Sequence, residues 1–343
     1  MTKTNEMTAA LLQWFAANKR DLPWRRTREP YFIWLSEIMA QQTRIAALLP
    51  YYGRFTELFP DVFALAQTGE AEVLKCWEGL GYYSRARLLH RTARIVAEEH
   101  EGVFPTSAAE LRKLPGIGDY TAGAVASICY NEKVPAIDGN ALRVFARLRN
   151  DDADVMLAET KKRLSAFLTG IMPEDAGAFN QAVMELGALV CVPGNPNCGE
   201  CPVSAFCEAR QAGCETALPV KAKKPPRRVQ EMTVLLVTNE AGEILVRRRT
   251  ERLLQGLWEF VLLEGYVDAA ESLRAWGFAD GSVTGAGSAV HVFTHLEWHM
   301  AGWRCAVRGH VAPEGYEFVP VPVLRSLALP SALAHFTAQV VGN

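Results

Sequence analysis

Two carboxylates, a pair of glycines and four cysteines are the residues of this chain whose types and spacing can do chemistry. Glu37 lies in Ser36-Glu37-Ile38-Met39-Ala40-Gln41-Gln42-Thr43, among apolar residues near the start of an expected helix. A carboxylate there costs desolvation energy unless it is paired or protonated. An isolated Glu in a first turn would instead complement the helix dipole. Asp138-Gly139-Asn140 opens another helix, with Ala141, Leu142, Phe145 and Leu148 on its apolar side; a carboxylate so placed is ordinarily an N-cap. Before it comes Leu114-Pro115-Gly116-Ile117-Gly118, where Pro115 cannot extend a helix and each glycine can take φ > 0. Such a turn leaves backbone N–H groups unpaired at a helix start near Tyr120, a neutral cradle for a phosphate. Cys191, Cys198, Cys201 and Cys207 follow the pattern C-x6-C-x2-C-x5-C in loops rich in proline and glycine. Four thiolates so close form a four-ligand metal site, and spacing by itself leaves zinc and a [4Fe–4S] cluster both open.

The elements that must position these groups are mostly helical. The apolar spacing predicts helices over 6–19 (Leu11, Leu12, Trp14 and Phe15 inward), 31–52, 62–67, 70–77, 84–100, 107–113, 139–149, 157–169 and 177–190. Glu78-Gly79-Leu80-Gly81-Tyr82-Tyr83-Ser84 reads as a glycine-bearing loop with two aromatics able to stack on bases or to pack the loop. No alternating run of strand length precedes residue 230. Residues 217–230 read as a basic, proline-containing linker, with Lys221, Lys223, Lys224, Arg227 and Arg228 around Pro225-Pro226. From 231 the pattern turns to strands at 232–237 and 244–249, an extended stretch at 257–261, a helix at 269–276 and two strands within 290–308.

Length and composition agree with this division. The chain's 343 residues suffice for two domains, 49% hydrophobic content fills ordinary cores, and the net charge of −2 gives no sign of a polyanionic partner, so any nucleic-acid surface must be a local patch. No apolar run approaches the roughly 20 residues of a membrane helix, and the first residues lack the apolar core of a signal peptide. A cytoplasmic protein is expected. In a reducing compartment, eight cysteines point to metal ligands or buried thiols, and Cys76, Cys129, Cys214 and Cys305, being scattered, to free thiols.

Taken together, LPWR at 22–25, SEIMAQQT at 36–43, GLGYYSRAR at 79–87, LPGIGDYTAGA at 114–124, IDGN at 137–140, FNQAVMELGA at 179–188 and the four cysteines resemble the helix–hairpin–helix DNA glycosylases, most closely the MutY-type adenine glycosylases. The resemblance implies a multidomain chain. A mainly α glycosylase domain over 1–216, carrying an iron–sulfur motif at 191–207, precedes the linker and a small α/β Nudix-like recognition domain over 231–343. It implies removal of adenine mispaired with 8-oxoguanine or guanine in double-stranded DNA, by a monomer that associates with the bacterial-type nucleoid. Glu37 matches the family's general acid at adenine N7, Asp138 the carboxylate that stabilises an oxocarbenium-like sugar, and Asn140 a residue that positions sugar or water. The adenine pocket would use Arg25, Tyr120 and Glu185, with Trp24 as a wall. Gln42 and Tyr82 look like the wedge entering the vacated stack, and Gly116 and Gly118 like donors to a DNA phosphate. The metal becomes a [4Fe–4S] cluster on Cys191, Cys198, Cys201 and Cys207.

The second domain departs from a working Nudix hydrolase. Such enzymes hold Mg2+ through several glutamates, and the nearest stretch, 270–277, keeps only Glu271. Recognition is the surviving role: Phe293-Thr294-His295 resembles the family's Phe-Ser-His loop, with threonine for serine. Ala40 stands where leucine is common. Two other classes fit part of the pattern. An endonuclease III-like bifunctional enzyme acting on oxidised pyrimidines needs a Schiff-base lysine where this chain has Tyr120. A non-catalytic iron–sulfur damage-binding protein needs neither Glu37 nor Asp138.

Overall fold

The computed structural model describes residues 3–222, 225–278, 281–309 and 311–342. Up to residue 222 the secondary structure of the described residues is helical: α1 (Lys3–Asn18), α2 (Pro30–Ala40), α3 (Ile45–Leu58), α4 (Val62–Gln67), α5 (Glu70–Cys76), α6 (Ser84–Glu99), α7 (Ala108–Leu111), α8 (Asp119–Tyr130), α9 (Gly139–Leu148), α10 (Ala158–Ile171), α11 (Ala176–Leu189) and α12 (Glu208–Ala212). The single helix expected over 31–52 is two. α2 stops at Ala40, Thr43 N–H closes a turn onto the Ala40 carbonyl, and Gln42 takes a left-handed φ of 56° that no continuous helix accommodates. Glu37 therefore sits in the last turn of α2 and not near its start. The dipole there opposes a carboxylate, so the first-turn explanation for this residue fails.

Two compact units emerge, one of residues 1–45, 56–66 and 91–224 and one of residues 46–55, 67–90 and 225–343. In the first, α1, α9, α10 and α11 enclose a core of Leu11, Phe15, Leu142, Phe145, Leu164, Phe179 and Leu186. The apolar stripe read in α9 is buried as expected, and its two arginines, Arg143 and Arg147, are buried with it. Residues 217–222, the first part of the stretch expected as a basic linker, pack within this unit. Leu218 is buried and its carbonyl accepts from Arg147 Nε (3.0 Å), Val155 N–H donates to the Val220 carbonyl (3.1 Å), and Ala222 N–H to Asp154 Oδ2 (3.1 Å). Lys223 and Lys224 lie outside the described residues.

The second unit contains a sheet of β1 (Arg228–Thr238), β2 (Ile244–Arg248), β3 (Trp258–Glu259), β4 (Val261–Glu264), β5 (Gly281–Val292), β6 (Leu296–Val307) and β7 (Glu317–Val319). The order is β3-β2-β1-β6-β5, with β4 on β1 and β7 on β2. β1 runs parallel to β6 and antiparallel to β2 and β4. Both faces of β1 are covered from Met232 to Val237, which is why that part of its sequence is nearly all apolar and does not alternate. Met232, Val234 and Leu236 face a cluster with Trp298, Met300 and Phe336, while Leu235 and Val237 face Leu245, Val261, Leu273 and Cys305. α13 (Ala269–Ala275) forms as expected. β7, α14 (Val321–Ser326) and α15 (Ala334–Val341) go beyond the expected elements. No helix of the described residues is long and apolar enough to cross a membrane.

Candidate active site

Glu37 and Asp138 both line one open cavity of about 1560 Å³ in the first unit. Glu37 is 8% exposed. Tyr120, in the first turn of α8, donates its hydroxyl to Glu37 Oε2 at 2.5 Å. Burial pushes the Glu37 carboxyl from its ordinary 4.5 up to about 7; the Tyr120 hydrogen bond pulls it down, the Asp138 charge pushes it up and Arg25 pulls it down. The phenol of Tyr120 is held well above its usual range, first by burial and then by the Glu37 and Asp138 charges.

Asp138 is the N-cap of α9, so the ordinary reading of its position holds, and it does more. Oδ1 accepts from Ala141 N–H and Oδ2 from Asn140 Nδ2, both at 2.7 Å. Burial raises its pKa, and these donors, with the Arg143 charge, work to lower it. Asn140 is itself fixed: its Oδ1 accepts from Arg143 Nη2 (2.8 Å), and the same guanidinium donates to the Gly187 and Cys191 carbonyls at 2.9 and 2.7 Å. A Cβ on Gly187 would come within 2.5 Å of Asn140 Cβ, so only glycine lets α11 close on α9 here.

Glu185 is also buried in the cavity wall, with a different balance. Its carboxylate accepts from Arg20 (N 2.8, Nε 2.9, Nη2 2.6 Å) and from Arg25 (Nη1 2.9, Nη2 2.8 Å). Burial pushes its pKa up, but these hydrogen bonds win and bring it down to about 2. Arg25, seated over the Phe15 ring, and the buried Trp24 complete this side.

Gln42, exposed and at positive φ, and Gly118 reach the cavity rim. Of the two hairpin glycines only Gly116 takes positive φ, at 76°. Gly118 is the N-cap of α8 with no side-chain cap, at φ −91°, and a Cβ there would meet nothing within 4 Å. The first amides of α8 are thus left to an outside acceptor.

The four cysteines expected to bind metal line a second, small cavity with Val144, Arg147, Leu186 and Val190. Among the described residues no three His, Cys, Asp or Glu side chains converge on a single-ion site; the thiols surround a space instead. Arg147 donates Nη1 to Cys191 Sγ (3.3 Å) and to the Val192 carbonyl (2.8 Å). Burial pushes the Cys201 thiol up to about 11, and the charges of Cys191, Cys207 and Cys198 push in the same direction. Thiolates crowded in a dry enclosure repel until cationic metal joins them, and a buried guanidinium suits the net negative charge of a four-thiolate iron–sulfur cluster. The site fits the group.

In the second unit, Phe293 N–H donates to the Leu296 carbonyl (2.8 Å), closing a tight turn between β5 and β6 with Thr294 and His295 exposed at its tip. The Phe293 ring packs edge-on against His291 (4.6 Å) and Trp298 (4.9 Å). Tyr82, exposed and at φ 49°, places its hydroxyl 3.3 Å from Thr294 Oγ1. The structure thus gathers Glu37, Tyr120, Asp138, Asn140, Arg25, Trp24 and Glu185 around one cavity. Arg20, Arg143 and Met184 were missed by sequence reasoning. Arg20 sits in a basic stretch before LPWR where one arginine looks like another. Arg143 and Met184 sit on helix faces whose residues read as solvated and core.

The helical unit with its carboxylate-lined cavity and thiol enclosure is similar to the base excision DNA repair proteins of one superfamily. Residues 35–173 match the HhH-GPD superfamily base excision DNA repair proteins, 191–207 the iron-sulfur binding domain of endonuclease III, and 233–339 the NUDIX domain. The iron-sulfur match begins and ends on Cys191 and Cys207, and the chain carries a [4Fe–4S] cluster there. A solved thermostable thymine-DNA glycosylase superposes with a TM-score of 0.56 at 27% identity, over 61% of this chain and 98% of that one. The chain belongs to the adenine DNA glycosylase family. The adenine DNA glycosylase of Arabidopsis thaliana is 38% identical over 80% of this chain and 50% of its own length. That of Rattus norvegicus is 34% identical over 87% of this chain and 70% of its own. The chain therefore spans half the length of the first of these relatives and somewhat over two thirds of the second.

The raised Glu37 carboxyl makes a stability prediction. Between about pH 4.5, the ordinary value, and about pH 7 the unfolded chain has lost a proton that the folded protein keeps. Stability therefore falls as pH rises through that window, and the contribution of neutral Glu37 is fully present only below it. Glu37→Gln, which cannot ionise, is expected to exceed wild type by about 1–3 kcal/mol at pH 8 and by much less near pH 4.5, measured by denaturant unfolding. A constant difference between the two proteins across that range contradicts the assignment.

Proposed function

We propose that this protein removes adenine paired with 8-oxoguanine or guanine in double-stranded DNA, hydrolysing the N-glycosidic bond and leaving the strand intact. The observation that carries the reading is the pair of carboxyl groups in one cavity with different partners. Glu37 is poised to hold a proton near neutral pH, and Asp138 is braced as a carboxylate by two donors. The target base is inside the stack, so the nucleotide must be flipped into the cavity. Glu37 gives its proton to adenine N7, and the C1′–N9 bond breaks with the electron pair leaving on a neutral base. The positive charge left on the sugar is stabilised by Asp138, whose geometry Asn140 and Arg143 fix, and water adds at C1′. Arg25 and Trp24 shape the adenine pocket. Glu185, saturated by Arg20 and Arg25, sets the position of Arg25.

Gly116, Gly118 and the open amides of α8 suit a DNA phosphate. Gln42 and Tyr82 suit the wedge role: both hold left-handed φ, which costs energy in a non-glycine residue and collects at functional sites. The [4Fe–4S] cluster, bound by Cys191, Cys198, Cys201 and Cys207, ties the loop 191–207 and supplies no electron to a hydrolysis. The protein acts as a monomer in the bacterial-type cytoplasm, at the nucleoid. An endonuclease III-like lyase step is disfavoured because the phenol of Tyr120 cannot form an imine with the sugar aldehyde.

Single-turnover excision from an A:8-oxoguanine duplex is expected to fall on the order of 10²–10⁴-fold in Glu37→Gln and in Asp138→Asn, with duplex binding retained. In the wild type the product strand should stay whole until alkali is added. Near-normal rates in either folded variant, or stoichiometric nicking at neutral pH, overturn the reading.

The turn holding Thr294 is the inspection point for the opposite base. Compared with guanine, 8-oxoguanine has a proton on N7, which the exposed Thr294 hydroxyl can accept. Thr294→Val keeps shape and removes the acceptor. It should lower the preference for A:8-oxoguanine over A:G by roughly 2–10-fold, the worth of one hydrogen bond. An unchanged ratio in both affinity and excision rate places recognition elsewhere.

A further inference from the structure

Tyr120 has one hydroxyl proton and two acceptors. Its oxygen lies 2.5 Å from Glu37 Oε2 and 3.2 Å from the sulfur of Met184, a residue on α11 that also lines the cavity. A methionine sulfur accepts weakly and would lose any competition with a carboxylate. The competition changes when Glu37 is protonated. A neutral carboxyl is a poorer acceptor, and its own O–H can donate to the phenol oxygen, which frees the phenol proton for the sulfur.

We propose that Met184 is a positioning residue whose sulfur accepts the Tyr120 hydroxyl hydrogen bond whenever Glu37 is neutral, so that the phenol keeps an acceptor while the protonated acid donates to it. In the ionised state the phenol donates to the carboxylate. In the neutral state the chain runs from Glu37 to Tyr120 to Met184. No bond to carbon forms or breaks: one proton is gained at Glu37 and one hydroxyl rotates. The sulfur thereby favours the neutral form of Glu37, offsetting part of the opposite pull that the phenol exerts. The other groups facing Glu37 are Asp138 at the start of α9, Arg25 on the turn before α2 and Cys129 on α8.

The inference rests on the glycosylase reading for its consequence, but Glu37 can be titrated without substrate. The carbonyl stretch of its protonated carboxyl, assigned by its loss in Glu37→Gln, is followed against pH by infrared difference spectroscopy in the full-length holoprotein. The pH profile of single-turnover adenine excision is recorded in parallel. Met184→Leu conserves volume and removes the acceptor. It should shift the Glu37 titration down by about half a pH unit, the size of a weak hydrogen bond, and move the alkaline fall of excision by the same amount. Met184→Gln, whose amide oxygen accepts the same proton, should restore the wild-type midpoint. In a Tyr120→Phe background Met184→Leu should shift nothing, because the proton it competes for is gone. An unshifted midpoint in Met184→Leu, or an equal shift with and without the Tyr120 hydroxyl, overturns the proposal. Absence of adenine excision by the wild type would instead overturn the glycosylase reading, with the infrared titration still deciding the role of Met184.

Discussion

Everything in the helical unit turns on a carboxyl group that cannot be ionised without cost. Glu37 lies in the last turn of α2, buried, beside a phenol and within range of a second carboxylate. Burial and a like charge both disfavour ionisation, and the negative end of a helix adds to them. A soluble domain would gain stability by replacing such a group. The fold keeps it and builds the compensating contacts around it: Tyr120 on Oε2, Arg25 at a distance, and a separate, fully saturated carboxylate at Glu185 to hold that arginine.

The two neighbouring carboxylates show how environment divides one chemistry into different tasks. Glu185 accepts five hydrogen bonds from two guanidinium groups and one backbone amide and stays ionised at any ordinary pH. Asp138 accepts from one backbone amide and one side-chain amide, which orient it. The same approach of helices that sets Asp138 also links it to the cluster loop. Asn140 bonds Arg143, and Arg143 bonds the Cys191 carbonyl. Close helix approach makes this possible, and glycine permits it. At Gly187 a side chain would strike Asn140, and at Gly123 a Cβ would lie 2.5 Å from the Pro135 carbonyl, in the loop that leads into Asp138.

Much of this was legible in the sequence because chemistry-bearing residues sit at motif positions with few alternatives. The four cysteines and the switch from helices to strands after residue 230 could be read from spacing, while the roles of the carboxylates and the hairpin came from the run of motifs shared with a known family. The break after Ala40 could not. Ile38, Ile45 and Leu48 keep an apolar helical rhythm across it, and only the backbone at Gln42, in a left-handed conformation, interrupts the helix. The packing of 217–222 onto the helical unit was hidden for a related reason. A basic, proline-containing stretch carries no apolar period, yet Leu218 and three hydrogen bonds to its backbone, two of them with side chains, hold it. Arg20 and Met184 were hidden because their roles depend on which partner faces them across the fold.

The central claim is that Glu37 acts as a neutral acid whose proton is held by burial. The pH dependence of single-turnover excision by the wild-type protein, on a duplex with adenine opposite 8-oxoguanine, tests it most directly. The account predicts a rate that falls tenfold per pH unit above about pH 7, is level below it, and falls again only where acid protonates Asp138. A rate that rises through neutral pH, as a required base would give, contradicts it.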